Sequence, residues 1–132
     1  MAQTLDQKRA AFAWRAASAG MTSRYREDYK RLAKGAPSLI MNSGLMPTLA
    51  FYAGRKSDAS DALLNDIAAW FNQRFADRRE YQPAPRQFPD VMAKLHGNSS
   101  AFYVEATDEA LEILKWIRQF VDAVPQTGNA HG

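Results

Sequence analysis

The sequence contains no cysteine and only two histidines. The first absence excludes disulfides and thiolate metal sites, and it fits a reducing compartment. The second leaves little material for general-base chemistry. His131 falls in the C-terminal tail, and His96 stands alone before Gly97, where an imidazole suits the end of a helix. A Gly-rich phosphate loop, a His-x-x-x-His pair and a Gly-x-Ser-x-Gly elbow are all missing. Asp58 with Asp61, or Glu105, Asp108, Glu109 and Glu112, read as helix-surface acids facing water rather than converging metal ligands. The residues therefore offer no catalytic site, no metal, no cofactor and no small-molecule substrate, and point away from an enzyme.

Long apolar runs are also absent. GAPSLIMNSGLMPTLAFYAG, from Gly35 to Gly54, carries no charge, yet two prolines and the run Asn42-Ser43-Gly44 interrupt its apolar residues. In lipid those breaks would leave backbone groups unpaired, at several kcal/mol each on an order-of-magnitude scale. The stretch reads as the central packing element of a bundle rather than a membrane span. MAQTLDQKRAAFAW, at the N-terminus, lacks the apolar core of a secretion signal, so a cytoplasmic location is the expectation.

What is present is a helical protein of ordinary composition, with 46% hydrophobic and 23% charged residues in 132. That length fits one domain burying roughly two-thirds of its unfolded surface. No alternating strand pattern appears. Thr4 and Gln7 form a capping box for a first helix expected to end at Gly20. Thr22 or Ser23 starts a second, expected to run to Lys34 and stop at Gly35, with Met21, Tyr25, Tyr29 and Leu32 as its apolar stripe. Pro37 opens a short helix to about Met41, and Ser43 caps another that holds Pro47 in its first turn and stops at Gly54. A cap at Ser57, Asp58 or Ser60 precedes a helix to about Ala76 with Leu63, Leu64, Ile67, Trp70, Phe71 and Phe75 on one face. DRREYQPAPRQFP is an irregular surface connection. A short helix then begins at Pro89, and residues 99–124 hold the longest helical pattern. A restart near Thr107 would match the charges of that last helix to its dipole. The expectation is an all-α, compact single-domain bundle of about six helices over residues 1–124, with 125–132 a disordered tail.

The net charge of +3 hides an uneven distribution. Residues 1–56 carry ten Lys/Arg against three acids, net +7, and residues 57–132 carry seven against eleven, net −4. Such a chain can meet a polyanion with one end and a basic partner, or a copy of itself, with the other. The plainer alternative is solvated helix surface. Lys8 and Arg15 project from one side of the first helix, Arg24, Arg31 and the row Arg26-Lys30-Lys34 decorate the second, and Arg55-Lys56 follow the uncharged stretch. Cations on helix surfaces suit sequence-independent phosphate contact. Tyr25 and Tyr29 have the chemistry to stack on bases, but their shared stripe favours the core.

Four ordered pieces carry a resemblance. They are Gln7-Lys8-Arg9-Ala10; Tyr29-Lys30-Arg31-Leu32-Ala33-Lys34 leading to Pro37-Ser38-Leu39-Ile40; Gly44-Leu45 before Thr48-Leu49-Ala50-Phe51; and Ala106-Thr107-Asp108-Glu109-Ala110-Leu111 leading to Leu114-Lys115-Trp116-Ile117 and Phe120. Together they resemble the small all-helical subunit of the type III-B CRISPR effector, the Cmr complex. The sequence departs from that pattern where Ser43 separates Asn42 from Gly44-Leu45. The resemblance implies a non-catalytic bundle whose copies stack along the complex beside other subunits and line the groove of guide and target RNA. It makes Lys8, Arg9, Lys30, Arg31 and Lys34 the first RNA-contact candidates, and Arg15, Arg24, Arg55 and Lys56 join them by charge. The alternative is a scaffold that touches only protein. A helix-turn-helix DNA-binding protein would need exposed Arg, Asn or Gln at the start of a recognition helix, and the helix after Gly44 is too apolar for that.

Overall fold

A computed structural model describes residues 2–125. Six α-helices follow in order: α1 (Leu5–Met21), α2 (Arg26–Ser43), α3 (Leu45–Arg55), α4 (Asp58–Arg74), α5 (Phe88–Gly97) and α6 (Ser100–Phe120). A single 3-10 turn, Arg79–Tyr81, interrupts the connection between α4 and α5, and no strand occurs among the described residues. α6 lies along α1 and α2, α4 packs on α2 and α3, and α5 touches α3 and α6.

Side-chain caps start three of these helices. Thr4 caps α1 in the expected box: its Oγ1 accepts from the Gln7 amide at 3.0 Å, and Gln7 Oε1 accepts from the Thr4 amide at 2.7 Å. Ser57 caps α4 with Ser60 returning the bond, and Ser99 caps α6 through the Phe102 amide. The apolar stripe of α4 is buried from Leu63 to Phe75. In α6 Ala106, Ala110, Ile113, Leu114 and Ile117 are buried in one unbroken helix, with no restart at Thr107.

Several expected helix ends differ, each for a tertiary reason. α1 passes through Gly20, where a Cβ would lie 2.4 Å from the Tyr29 ring. That glycine serves close packing rather than a left-handed stop. α2 does not stop at Gly35 or restart at Pro37. It begins after Tyr25, which has no side-chain cap bond, and continues to Ser43. Ala33, Ala36 and Ile40 extend the buried face of Tyr29 and Leu32, and their burial outweighs the ~3 kcal/mol that an interior proline costs a helix. Gly44, not Ser43, divides α2 from α3. Its φ of 97° reverses the chain while its amide donates to Ile40 O at 2.8 Å. α3 runs past Gly54 to Arg55 and is closed by Lys56, which takes the left-handed conformation with φ 55°. α4 ends at Arg74, two residues short of Ala76.

Two expectations about burial also change. The uncharged stretch buries Ile40, Leu45, Leu49 and Tyr52, but Met41 is 75% and Phe51 51% exposed. It packs on one side only. The proline-containing connection, expected on the surface, sends Tyr81 into the core against Phe71, Phe75 and Phe102. The expected tail lies, beyond Pro125, outside the described residues, as does His131.

Candidate nucleic-acid interface

The nine basic candidates separate by the partners their side chains find. Arg9 turns inward. Its Nη2 donates to Glu109 Oε2 at 2.7 Å and its Nε to Oε1 at 3.3 Å, while Nη1 reaches Asp6 at 2.9 Å. Glu109 also accepts from Trp70 Nε1 at 3.1 Å and pairs with Arg74 Nε at 3.0 Å. Burial alone would push the Glu109 carboxyl up, but these donors, Arg9 foremost, hold it below the usual carboxylate range. Arg78 bridges Glu80 and Glu105 and lies over the Phe75 and Phe102 rings. This network ties α1, α4 and α6 together and leaves the Arg9 guanidinium committed.

Lys30 and Lys34, one turn apart on α2, share the carboxylate of Asp122 at 3.2 and 2.7 Å. Their donation, Lys34 first, holds Asp122 below its ordinary range. The three groups sum to one positive charge beyond the end of α6. Arg31 pairs with Asp28 at 2.7 Å, and Arg24 with Asp58 at 2.6 Å. All four of those side chains stay well exposed, so water screens both pairs.

Lys8, Arg15, Arg55 and Lys56 are exposed and pair with no carboxylate among the described residues. Lys8 and Arg15 sit two turns apart on the outer face of α1, opposite the side that buries Ala13, Ala16, Ala17 and Gly20. Arg55 lies over the exposed Phe51 ring, 5.6 Å from its centroid, an arrangement that holds a cation without neutralising it. Lys56 projects from the turn into α4. The Arg24–Asp58 pair brings the α1–α2 connection to the same end of the bundle. Tyr29 is fully buried and its hydroxyl donates to Asp66, which fixes it as a core residue.

Trp14, next to Arg15 in sequence, meets Phe120 edge-on at 5.0 Å, and Phe120 meets Trp116 at 5.8 Å. Half-chain charge sums concealed a further feature. Five of the seven bases in residues 57–132 fall between Arg74 and Lys94. Arg79, Arg86 and Lys94 among them line one open groove. Among the described residues no group of three or more His, Asp or Glu is placed to hold a metal ion, and no helix is long and apolar enough to cross a membrane.

The model of the CRISPR-associated family Cas_Cmr5 matches residues 5–124. A Thermus thermophilus protein described as "CRISPR system Cmr subunit Cmr5" is 30% identical over 99 residues, spanning 75% of this chain and 76% of the relative. The crystal structure of a CRISPR-associated Cmr5 family protein, also from Thermus thermophilus, superposes with a TM-score of 0.77 at 23% identity, covering 95% of this chain and all of that one. The family match runs from the first residue of α1 to Val124, through every helix described above. The chain belongs to the Cas_Cmr5 family, the small all-helical subunit of the Cmr system.

Proposed function

We propose that the protein is a non-catalytic subunit of a Cmr effector complex that lays an exposed basic surface against RNA phosphates. The observation that carries the reading is the set Lys8, Arg15, Arg55 and Lys56, exposed and free of carboxylates. Arg24 adds to it at the α3–α4 end, and Lys30, Arg31 and Lys34 contribute more weakly because Asp122 and Asp28 already engage them. Arg9 contributes through the fold. Such a surface binds phosphate by counterion release and carries no sequence preference, which suits a subunit that must follow any guide and target pairing. Copies of the chain and other Cmr subunits are the protein partners, and the complex works in the cytoplasm. The test is RNA retention by the assembled complex across a salt series. With Lys8, Arg15, Arg55 and Lys56 replaced by Gln, affinity falls and the salt slope drops by about 0.7–0.9 for each phosphate no longer neutralised. An unchanged slope removes the assignment.

A second reading, a scaffold without RNA contact, draws on exposed apolar side chains. Trp14, Met41, Phe51 and Val104 are the kind of surface that protein partners cover. Under that reading the four Gln substitutions leave RNA affinity per assembled complex unchanged, and Trp14→Ala and Phe51→Ala reduce incorporation of the subunit.

A further inference from the structure

Phe51 and Arg55, one turn apart on α3, form an exposed pair of ring and cation. α3 buries Leu45, Thr48, Leu49 and Tyr52 on one side, which turns Phe51 outward with 51% of its surface in water. Arg55 lies over the ring, 5.6 Å from its centroid. The neighbours of Phe51 on the outer side of α3 are small: Pro47, Ala50 and Gly54, all exposed. A Cβ added at Gly54 meets nothing within 4 Å, so the space beside the ring is open. A ring standing among small residues is within reach of a flat partner.

The charges at this end of the bundle favour one kind of partner. Arg55 and Lys56 are exposed and pair with no carboxylate among the described residues. Asp58 is occupied by Arg24 at 2.6 Å, which leaves Asp61 as the other acid in the first turn of α4. Of the five large apolar side chains exposed among the described residues, Phe51 is the one with a cation over its ring. Trp14, the other aromatic of the five, has the Phe120 ring against it instead. An apolar protein face laid on Phe51 would desolvate Arg55 without giving it a counter-charge, which is costly. A single nucleic-acid strand satisfies both groups at once, with a base on the ring and phosphates on the cations.

We propose that Phe51 is a stacking platform for one unpaired nucleotide of RNA, with Arg55 and Lys56 holding the phosphates on either side of it. The base takes the ring surface that Arg55 does not cover. This rests on the RNA-facing reading above and deepens it. A phosphate surface alone takes single and paired strands alike, whereas an exposed ring adds a preference for unpaired nucleotides, because the bases of a duplex are already stacked on one another. Every base has a flat π face, so the added contact brings no sequence preference.

The experiment titrates the purified full chain with a short single-stranded RNA, with the same strand carrying abasic positions, and with its duplex, following the Phe51 ring protons by NMR. Expected is a saturable upfield displacement of those protons by the single strand, as the ring current of a stacked base produces, and none by the abasic strand or the duplex. Phe51→Leu, which keeps an apolar side chain at a half-exposed position, weakens the single strand about tenfold. Its salt slope stays that of the parent, because no phosphate contact is lost. Phe51→Trp keeps the affinity, and Gly54→Leu, which fills the open space beside the ring, lowers it. Parental affinity in Phe51→Leu or Gly54→Leu overturns the proposal. So does equal displacement by the strand and its abasic counterpart, or no displacement by any strand at millimolar concentration. If Phe51→Leu lowers incorporation of the subunit into the assembled complex and leaves RNA affinity per complex unchanged, a protein covers Phe51 and the proposal falls. The variant with Lys8, Arg15, Arg55 and Lys56 replaced by Gln separates this site from the reading it rests on. An unchanged salt slope there removes the phosphate surface, whereas a lower slope together with parental affinity in Phe51→Leu removes the stacking alone.

Discussion

Arg9 and Glu109, one hundred positions apart in sequence, meet through two hydrogen bonds of 2.7 and 3.3 Å. Both side chains are largely withdrawn from water, at 13% and 6% exposure. The pair clamps α1 to α6, and Trp70 and Arg74 complete the carboxylate's surroundings from α4. Removing one partner of a buried pair strands the other. Glu109→Ala is therefore expected to destabilise the fold by about 3 kcal/mol, read as a lower urea midpoint. Lys8→Ala, one residue from Arg9 but facing solvent, stays within about 0.5 kcal/mol of the parent. A tolerant Glu109→Ala would show that the pair is ornamental.

Gly20 and Gly35 give opposite predictions for one substitution. Gly20→Ala drives a methyl into the Tyr29 ring, which is buried and cannot swing away. The expected loss is about 1–3 kcal/mol, as for other overpacked interiors. At Gly35, in the middle of α2, an added Cβ meets nothing within 4 Å. Gly35→Ala is expected to raise stability by about 0.5–1 kcal/mol, because glycine is the costlier residue in a helix interior. Thermal melts of the two variants, moving in opposite directions, check both.

The same two glycines mark where sequence reasoning reaches its limit. Thr4 with Gln7 was readable, and the cap of α4 narrowed to Ser57, Asp58 or Ser60, because each acts within one helical turn. The buried faces of α4 and α6 were readable because their spacing repeats over several turns. Gly20 reads like a stop until Tyr29, nine residues on, is seen against it. Pro37 reads like a start until Ala33, Ala36 and Ile40 are found on one continuous buried face. The basic candidates were readable as residues but not as charges free to act. That depends on partners such as Asp122, 88 positions from Lys34, and no local pattern encodes such a pairing. Arg79, Arg86 and Lys94 were not singled out, because a half-chain charge sum averaged them with the acids of α6.

Asp66 supplies a pH dependence of unusual sign. Its carboxylate accepts from Tyr29 OH at 2.5 Å, and burial nonetheless pushes it up from 3.8 to about 6. Between those values the folded chain keeps the proton and the unfolded chain releases it. Stability from this group is thus full below pH 3.8 and falls as pH rises through about 6. Glu109 and Asp122, held low by their cations, act oppositely and lose stability as pH falls below the ordinary carboxylate range. Asp66→Asn keeps an acceptor for Tyr29 and removes the titration. The parent is expected to lose stability relative to Asp66→Asn across pH 4–6, measured by urea denaturation at each pH. Parallel curves would place the Asp66 proton elsewhere.

Asp122 restrains two of the basic candidates, and its removal tests what they face. Its carboxylate holds Lys30 and Lys34 together at the end of α6, where all three side chains remain in contact with water. An exposed pair of this kind adds little to stability, so Asp122→Asn should melt with the parent. It does release two ammonium groups from a competing anion. If the outer face of α2 meets RNA in the assembled complex, Asp122→Asn binds the target more tightly at low salt. Its salt dependence is then steeper, because each further phosphate neutralised releases another counterion. Lys30→Gln and Lys34→Gln in the Asp122→Asn background cancel the gain. The triple variant then separates a true phosphate contact from a general rise in net charge, since a charge change on another helix, such as Asp90→Asn on α5, adds the same unit without touching this face. Equal gains from Asp122→Asn and Asp90→Asn would assign the effect to long-range attraction and leave the α2 row without a direct contact.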